Sequence, residues 1–178
     1  MQKITNEQLG RLTADEFRTA EKMRVTVVLD NVRSAQNVGA FFRTCDAFAV
    51  DHLALCGITA VPPGREIHKT ALGAEQSVAW SYYPTTEECI AGLRERGVRI
   101  YAVEQVEGAA MLDDFRAEEG ADYALVFGNE VDGVAQPVVD MCDGAIEIPQ
   151  AGTKHSLNVS VSGGVVLWNF FCQIRPKR

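Results

Sequence analysis

The stretch from Ile146 to Ile174, IEIPQAGTKHSLNVSVSGGVVLWNFFCQI, is the one to which the other readable features of the sequence point back. It begins as a short apolar strand ending at Pro149 and passes through a polar turn to Ser156-Leu157-Asn158. Serine and asparagine are favoured N-terminal caps, so a helix is predicted to follow. That helix has no clear polar face, and a helix apolar on all sides must be covered on several of them. We therefore predict a homodimer with this helix at or near the interface; the alternative is a central core helix in a monomer.

Upstream, apolar strand-like runs alternate with helical patterns. The run Val25-Thr26-Val27-Val28-Leu29 is apolar and β-branched, which is typical of a strand buried on both faces. The predicted strands are 25–29, 52–56, 80–83, 98–104, 123–127 and 145–148. Predicted helices begin near Gly39, after a cap at Thr85 or Thr86, at Val134 and after Asn158. This alternation predicts an α/β domain with a mainly parallel six-stranded sheet flanked by helices.

Three segments are predicted to lie outside these elements. Residues 1–22 are expected to be an N-terminal extension, a short helix or pair of turns packed on the edge of a domain that spans 23–178. Residues 57–70 are marked by proline and glycine and are predicted to be a functional loop, because so long a loop is uncommon as a bare connector. Residues 105–122 are predicted to be a polar connection.

The composition limits the class of protein. Of 178 residues, 47% are hydrophobic and 23% charged, which is typical of a globular chain of one domain. No apolar run approaches the ~18 residues of a membrane-spanning helix, and the first residues lack a signal-peptide core, so a cytoplasmic location is expected. The five cysteines and three histidines are scattered, and neither a disulfide framework nor a metal site is expected. The net charge of −7 argues against a protein that coats nucleic acid non-specifically. Basic residues nevertheless gather at 65–69 and at the C-terminal end, in Arg175, Lys177 and Arg178.

The loops at the carboxyl ends of the strands are the candidate site. Ligands of parallel sheets bind at that edge, and the loops after Leu29, Glu104, Phe127 and Ile148 are rich in polar residues and glycine. The sequence has no G-x-G-x-x-G after the first strand, no P-loop and no G-x-S-x-G elbow. An ordinary dinucleotide site or P-loop is therefore disfavoured.

Three short patterns carry the candidate chemistry. Asn37-x-Gly39-x-x-x-Arg43 places an amide at a helix start and a guanidinium about one and a half turns later, suited to a phosphate or an oxyanion. Gly128-Asn129-Glu130-x-x-Gly133 is a strand-end turn that lets backbone approach a ligand. Ser156-Leu157-Asn158-Val159-Ser160 follows a polar, small-residue run. The alternatives are a capped helix with one surface arginine, a tight turn and a plain helix start.

Together, in this order and spacing, the three patterns resemble the motifs of the SpoU/TrmH-type RNA 2′-O-ribose methyltransferases of the SPOUT superfamily. The resemblance covers about residues 24 to 172 and includes Ile148-Pro149 and Gly152. It implies a single SPOUT-type domain whose C-terminal segment forms a trefoil knot. It also implies S-adenosyl-L-methionine bound in the knot, and an obligate homodimer whose active site takes residues from both subunits.

The resemblance also implies roles for single residues. The cofactor is expected on the backbone of Gly128, Ile148 and Leu157, with Val103 lining the adenine side. Arg43 is the catalytic candidate, and the residues expected to organise the site around it are Asn37, Glu130, Ser156 and Asn158. Because a guanidinium pKa exceeds ~12, we favour Arg43 as a phosphate clamp and oxyanion stabiliser over a general base, and the route of proton removal stays open.

The expected substrate is tRNA or rRNA. The candidate RNA contacts are Arg33, Arg65, His68, Lys69 and Lys154. For each of these the alternative is a solvated charged side chain. Two other functions stay open: a knotted RNA-binding protein that does not catalyse, and a methyltransferase for a substrate other than RNA.

Overall fold

A seven-stranded parallel sheet is the framework of the chain. The computed structural model describes residues 1–5 and 7–176, so Lys177 and Arg178 of the basic C-terminal end lie outside the described residues. The strands are Met23–Asp30 (β1), Val50–Cys56 (β2), Trp80–Tyr83 (β3), Arg99–Val103 (β4), Ala110–Met111 (β5), Tyr123–Phe127 (β6) and Gly144–Glu147 (β7). Their order is β3-β2-β1-β6-β4-β7-β5, and every pair is parallel. The predicted α/β class with a parallel sheet is confirmed.

The prediction of six strands was wrong. The additional strand is β5, which lies in the segment 105–122 that was predicted to be a polar connection. Ala110 pairs with Ile146 and Met111 with Glu147 at the edge of the sheet. Both residues of β5 are exposed, and two residues are too few to show an alternating pattern. Strand β5 forms because it pairs with the edge of β7, which is distant in sequence.

Six α-helices accompany the strands in the described part of the chain. They are Ala14–Thr19 (α1), Ala35–Ala47 (α2), Arg65–Ala71 (α3), Thr86–Glu95 (α4), Gln136–Asp140 (α5) and Val159–Ile174 (α6). Thr85 caps α4 by accepting a hydrogen bond from Glu88 N at 3.2 Å, as the sequence predicted. Helix α2 begins earlier than predicted, because Ser34 caps it by accepting from Asn37 N at 3.3 Å.

The segment predicted to be a loop, residues 57–70, contains most of α3. The proline and glycine markers end at Gly64, which is the N-terminal cap of α3. The helix packs directly on α2 at Gly39, where an added Cβ would lie 2.3 Å from the carbonyl oxygen of Ile67. A helix of seven residues is too short to be stable by itself. The helix is therefore stabilised by its packing against α2, a contact between distant residues that the local sequence pattern does not show.

The sheet is covered by helices on both faces. On one face, α2, α3 and α6 pack on strand residues such as Val27, Leu29 and Leu125. On the other face, α4 and α5 pack on the alternate residues, among them Val28 and Val126. The central strands β1 and β6 are buried on both sides, as the continuous apolar run in β1 predicted.

The first 22 residues contain α1 and a 3₁₀ turn at Glu7–Leu9. Phe17 on α1 is 8% exposed and belongs to the larger core cluster. Arg18 donates to the carbonyl oxygen of Gln76 at 2.9 Å. This segment is thus packed against the rest of the chain.

Helix α6 is buried on one side only. Gly163, Val166, Leu167 and Phe170 face the core. On the other side Val161, Val165 and Trp168 are 51%, 39% and 55% exposed. Within the described residues, neither α6 nor any other helix has the length and apolar character needed to cross a bilayer.

Candidate active site

A cleft of about 520 Å³ opens at the carboxyl ends of β4 and β6. It is lined by residues 103–105, 127–133 and 155–159 and by Ser162. The first segment ends β4, the second is the turn after β6, and the third leads into α6. The adjacent positions of β4 and β6 in the sheet bring these segments together, as expected for a parallel sheet.

The turn after β6 is closed on itself. Asn129 and Gly133 exchange backbone hydrogen bonds of 2.9 and 3.0 Å, and Gly133 has a φ of +69°. A Cβ on Gly128 would lie 2.0 Å from the carbonyl carbon of Gly133 and 2.1 Å from Val134 N. Only glycine fits at position 128, so the backbone of this turn forms one wall of the cleft.

Glu130 joins that turn to the start of α2. Its carboxylate accepts hydrogen bonds from Arg33 N, Ser34 N and Asn37 Nδ2, each at 2.9 Å. Burial opposes ionisation of this group, but these donors outweigh it and lower the pKa of Glu130. The carboxylate also faces the positive end of a helix, which favours its charge.

Asn37 and Asn158 continue this connection to α6. Asn158 Nδ2 donates to Asn37 Oδ1 at 3.2 Å. Asn158 Oδ1 caps α6 by accepting from Ser160 N and Val161 N at 3.0 and 3.3 Å. A hydrogen-bonded chain therefore runs from Glu130 through Asn37 to Asn158, across residues 93 and 121 positions apart in sequence.

The sequence model of the SpoU rRNA Methylase family matches residues 24–168, and this span includes all three motifs. The chain belongs to the SpoU rRNA methylase family.

Three relatives of this SpoU chain illustrate the match. A tRNA (guanosine(18)-2′-O)-methyltransferase from Thermus thermophilus is 35% identical over 148 residues, 81% of this chain and 72% of the relative. The A. aeolicus TrmH/SpoU tRNA modifying enzyme has a TM-score of 0.79 at 26% identity, over 90% of this chain and 80% of that one. An AdoMet-bound rRNA methyltransferase from Sinorhizobium meliloti has a TM-score of 0.77 at 26% identity, over 86% of this chain. The SpoU chain described here spans 59% of the length of that last structure.

The expected cofactor residues of the SpoU chain divide between the cleft and the core. Val103, Gly128 and Leu157 line the cleft. Ile148 does not line it; this residue is half-buried and packs against the larger core cluster.

The expected catalytic residues divide in a similar way. Glu130, Ser156 and Asn158 line the cleft, and Asn37 is hydrogen-bonded to two of them. Arg43 is exposed on α2 and does not line the cleft of its own chain. Among the described residues it has no hydrogen bond or ion pair. In a single chain, the cleft and its expected guanidinium are therefore separate.

The expected RNA contacts lie on the surface. Arg33 and Arg65 are exposed, and Lys154 lies in the wholly exposed segment 150–158. His68 and Lys69 on α3 already have partners in the chain. His68 Nδ1 lies 2.6 Å from Glu75, and Lys69 Nζ donates to Glu66 at 2.6 Å.

Two neighbouring residues of the cleft were missed by the sequence analysis. Glu104 Oε2 accepts from Val134 N at 3.0 Å, which ties β4 to the turn after β6. Gln105 Nε2 donates to the carbonyl oxygen of His155 at 2.9 Å, which ties β4 to the segment before α6. Their position directly after a strand was the available signal, since the loop after Glu104 was a candidate. Within the described residues, no group of three or more histidine, cysteine, aspartate or glutamate side chains is arranged to hold a metal ion.

Proposed function

We propose that the chain is an S-adenosyl-L-methionine-dependent RNA 2′-O-methyltransferase that acts on tRNA or rRNA. The observation that carries the proposal is the chain Glu130–Asn37–Asn158 beside the cleft in a member of this family. Its relatives support the substrate class, since one is a tRNA (guanosine(18)-2′-O)-methyltransferase and another is an rRNA methyltransferase bound to AdoMet.

The cleft fits this cofactor. Its volume of about 520 Å³ lies within the range of small-molecule sites. Val103 and Leu157 offer apolar surface, and the Cβ-free backbone at Gly128 allows a close approach. Strand-end N–H and C=O groups pair with adenine edges without a charged side chain. We propose that Gly128, Leu157 and Val103 hold the cofactor, with Ile148 completing the backbone contacts.

When bound, S-adenosylmethionine supplies a methyl group on a positively charged sulfonium sulfur, and the product of transfer, S-adenosylhomocysteine, is a neutral thioether. The ribose 2′-oxygen gains this methyl group as the bond between the methyl carbon and sulfur breaks, and its proton passes to solvent. Asn37 and Asn158 are held with fixed amide orientations, so they can position the ribose. Ser156 adds a hydroxyl beside them. Arg43 would clamp the adjacent phosphate and stabilise charge on the 2′-oxygen.

We propose further that the enzyme is a homodimer and that the partner copy completes the site. Two observations support this. The outer side of α6 exposes Val161, Val165 and Trp168, an apolar surface that a second copy would cover. Arg43 lies outside the cleft of its own chain, so a second copy is the natural source of the guanidinium.

The remaining expectations are part of the same proposal. Residues 23–178 would form the catalytic domain, with the C-terminal segment threaded as a trefoil knot, and residues 1–22 an extension packed on it. Arg33, Arg65, His68, Lys69 and Lys154 would contact RNA phosphates. Because tRNA and rRNA are the substrates, the cytoplasm would be the place of action.

The test is transfer of a labelled methyl group from S-adenosylmethionine to total RNA. The expected product is labelled, sensitive to ribonuclease, and contains nucleotides that resist alkaline hydrolysis, because a methylated 2′-oxygen cannot attack the phosphate. Cofactor binding without transfer would instead indicate a non-catalytic RNA-binding protein. A labelled product that resists nuclease would indicate another substrate.

A further inference from the structure

Glu104 places a fixed carboxylate in the wall of the cleft. It follows β4 directly and is half-buried. Oε2 accepts from Val134 N at 3.0 Å and Oε1 from Gln105 N at 2.9 Å. A Cβ on Gly133 would lie 2.1 Å from Oε2, so the turn after β6 closes tightly over the carboxylate. The group is therefore held in one position by two loops that both border the cleft.

The charge of the cleft has one sign. Its acidic lining residues are Glu104, Glu130 and Asp132, and no lysine or arginine of the described chain lines it. Glu130 directs its carboxylate to the N–H groups at the start of α2. Glu104 has no cationic partner among the described residues. A carboxylate has about four acceptor positions, of which backbone N–H groups use two here.

We propose that Glu104 makes the cleft selective for the positively charged sulfonium form of the cofactor over the neutral thioether that transfer leaves behind. The proposal rests on the proposed function. Glu104 borders the cleft, so a cofactor bound there would bring its sulfonium within the range of this charge. For a separation of roughly 8–10 Å and an effective dielectric constant of about 20–40, one unit charge changes affinity roughly five- to thirtyfold. Such a preference favours release of the product after each turnover.

The test is calorimetric binding of S-adenosylmethionine and S-adenosylhomocysteine to three proteins. These are the unaltered chain, Glu104→Gln and the control Glu107→Gln, in which an equal charge is removed from an exposed side chain outside the cleft lining. The ratio of the two dissociation constants is the readout. Glu104→Gln should lower the preference for the sulfonium form about five- to thirtyfold, and Glu107→Gln should leave it unchanged. The preference of the unaltered chain should also fall between about 0.02 and about 0.5 M salt, because salt screens the charge.

A purely structural or hydroxyl-binding role for Glu104 predicts a different result. Both ligands would then bind more weakly in Glu104→Gln by the same factor, and an unchanged ratio would overturn the proposal. If that variant fails to fold by thermal unfolding, the salt dependence of the unaltered chain decides, and a ratio that does not change with salt would overturn the proposal. An unaltered chain that binds neither ligand would instead reject the proposed function.

Discussion

Individual side chains of this site act by fixing the position of nearby backbone groups. Glu130 accepts three hydrogen bonds, two of them from the N–H groups of the two residues before α2. Removing it would leave the start of that helix without its partner, and Asn37 without its orientation. Arg43 differs from Glu130, because its side chain is exposed and forms no hydrogen bond or ion pair within the described residues.

Arg43→Lys separates charge from geometry. Lysine keeps the positive charge but lacks the planar fork that binds two phosphate or alkoxide oxygens at once. We expect the rate of RNA methylation to fall by about a hundredfold, while the thermal unfolding midpoint stays unchanged. The measurement is transfer of labelled methyl to RNA, with Arg11→Lys, another exposed arginine, as control. Near-normal activity would exclude any role that needs the guanidinium fork.

Glu75 gives the stability of the fold a pH dependence. Its side chain is 11% exposed and lies 2.6 Å from His68. Burial opposes ionisation, but the hydrogen bond from His68 and the N–H groups of residues 75 and 73 outweigh it, so the pKa of Glu75 falls below its ordinary 4.5. Because the folded-state pKa is the lower one, the stabilisation is present above pH 4.5 and is lost as pH falls through the folded value.

The corresponding variant is Glu75→Gln. At neutral pH it should lower the free energy of unfolding by about 1–3 kcal/mol, because the hydrogen bond from His68 then goes to a neutral amide and loses the contribution of the buried charge. As pH falls below 4.5, through the lowered folded-state pKa of Glu75, the difference from the unaltered chain should shrink. Urea unfolding from about pH 3 to about pH 7 measures both, and Glu107→Gln serves as the exposed control. A difference that does not vary with pH would contradict this assignment.

At the scale of secondary structure, the packing of α3 on α2 depends on close contact between their backbones. Two of the glycines within helices, Gly39 and Gly92, have contrasting surroundings. At Gly39 in α2 an added Cβ would lie 2.1 Å from Thr70 Oγ1 and 2.3 Å from the Ile67 carbonyl oxygen. At Gly92 in α4 nothing lies within 4 Å. The first glycine allows α2 and α3 to touch, and the second has no such role.

Substitution by alanine should therefore have opposite effects at the two positions. Gly39→Ala should destabilise the fold by about 1–3 kcal/mol, because the clashing carbonyl belongs to a backbone that cannot turn away. Gly92→Ala should stabilise it by about 0.5–1 kcal/mol through helix propensity. Denaturant unfolding of both variants is the measurement. Equal stabilisation by the two would show that α3 does not pack on α2 in this way.

At the level of the whole molecule, the exposed side of α6 and the separation of Arg43 from the cleft point to assembly. Phe48 and Phe171 lie beside Trp168, with ring centroids 5.8 and 6.1 Å from it. Phe171 lies on α6, and Phe48, at the end of α2, extends the apolar surface beyond that helix. A second copy that covered this surface would remove it from water and supply the missing guanidinium.

Val165→Glu tests the assembly. A carboxylate buried without a partner in an apolar contact costs several kcal/mol, so the dimer dissociation constant should rise about a hundredfold or more. Methyl transfer should fall with it, and cofactor binding by the separate chain should fall less. Sedimentation equilibrium measures the dimer dissociation constant. The control is Ile58→Glu, because Ile58 is an apolar residue outside α6 that is 63% exposed. An unaltered chain that is monomeric at micromolar concentration would reject the dimer.

Much of this architecture was readable from local patterns. Strands β3 and β6 were predicted with their observed bounds, and Thr85 and Asn158 cap the helices predicted from them. Caps and apolar runs involve only a few neighbouring residues, so the amino-acid order alone contains that information. The three motifs were visible for the same reason, since each is a short run of residue types that a strand end or a helix start requires.

The rest of the fold and of the site depends on contacts between residues that are distant in sequence. Strand β5 depends on pairing with β7, and α3 depends on contact with Gly39 of α2. Glu130, Asn37 and Asn158 meet across about a hundred residues, and Arg43, in the same motif as Asn37, lies outside the cleft. Local sequence does not encode which distant backbone N–H will face a carboxylate. That partner is chosen when the sheet orders its strands and the helices pack on it, which is why Glu104 became visible as a site residue in the folded chain alone.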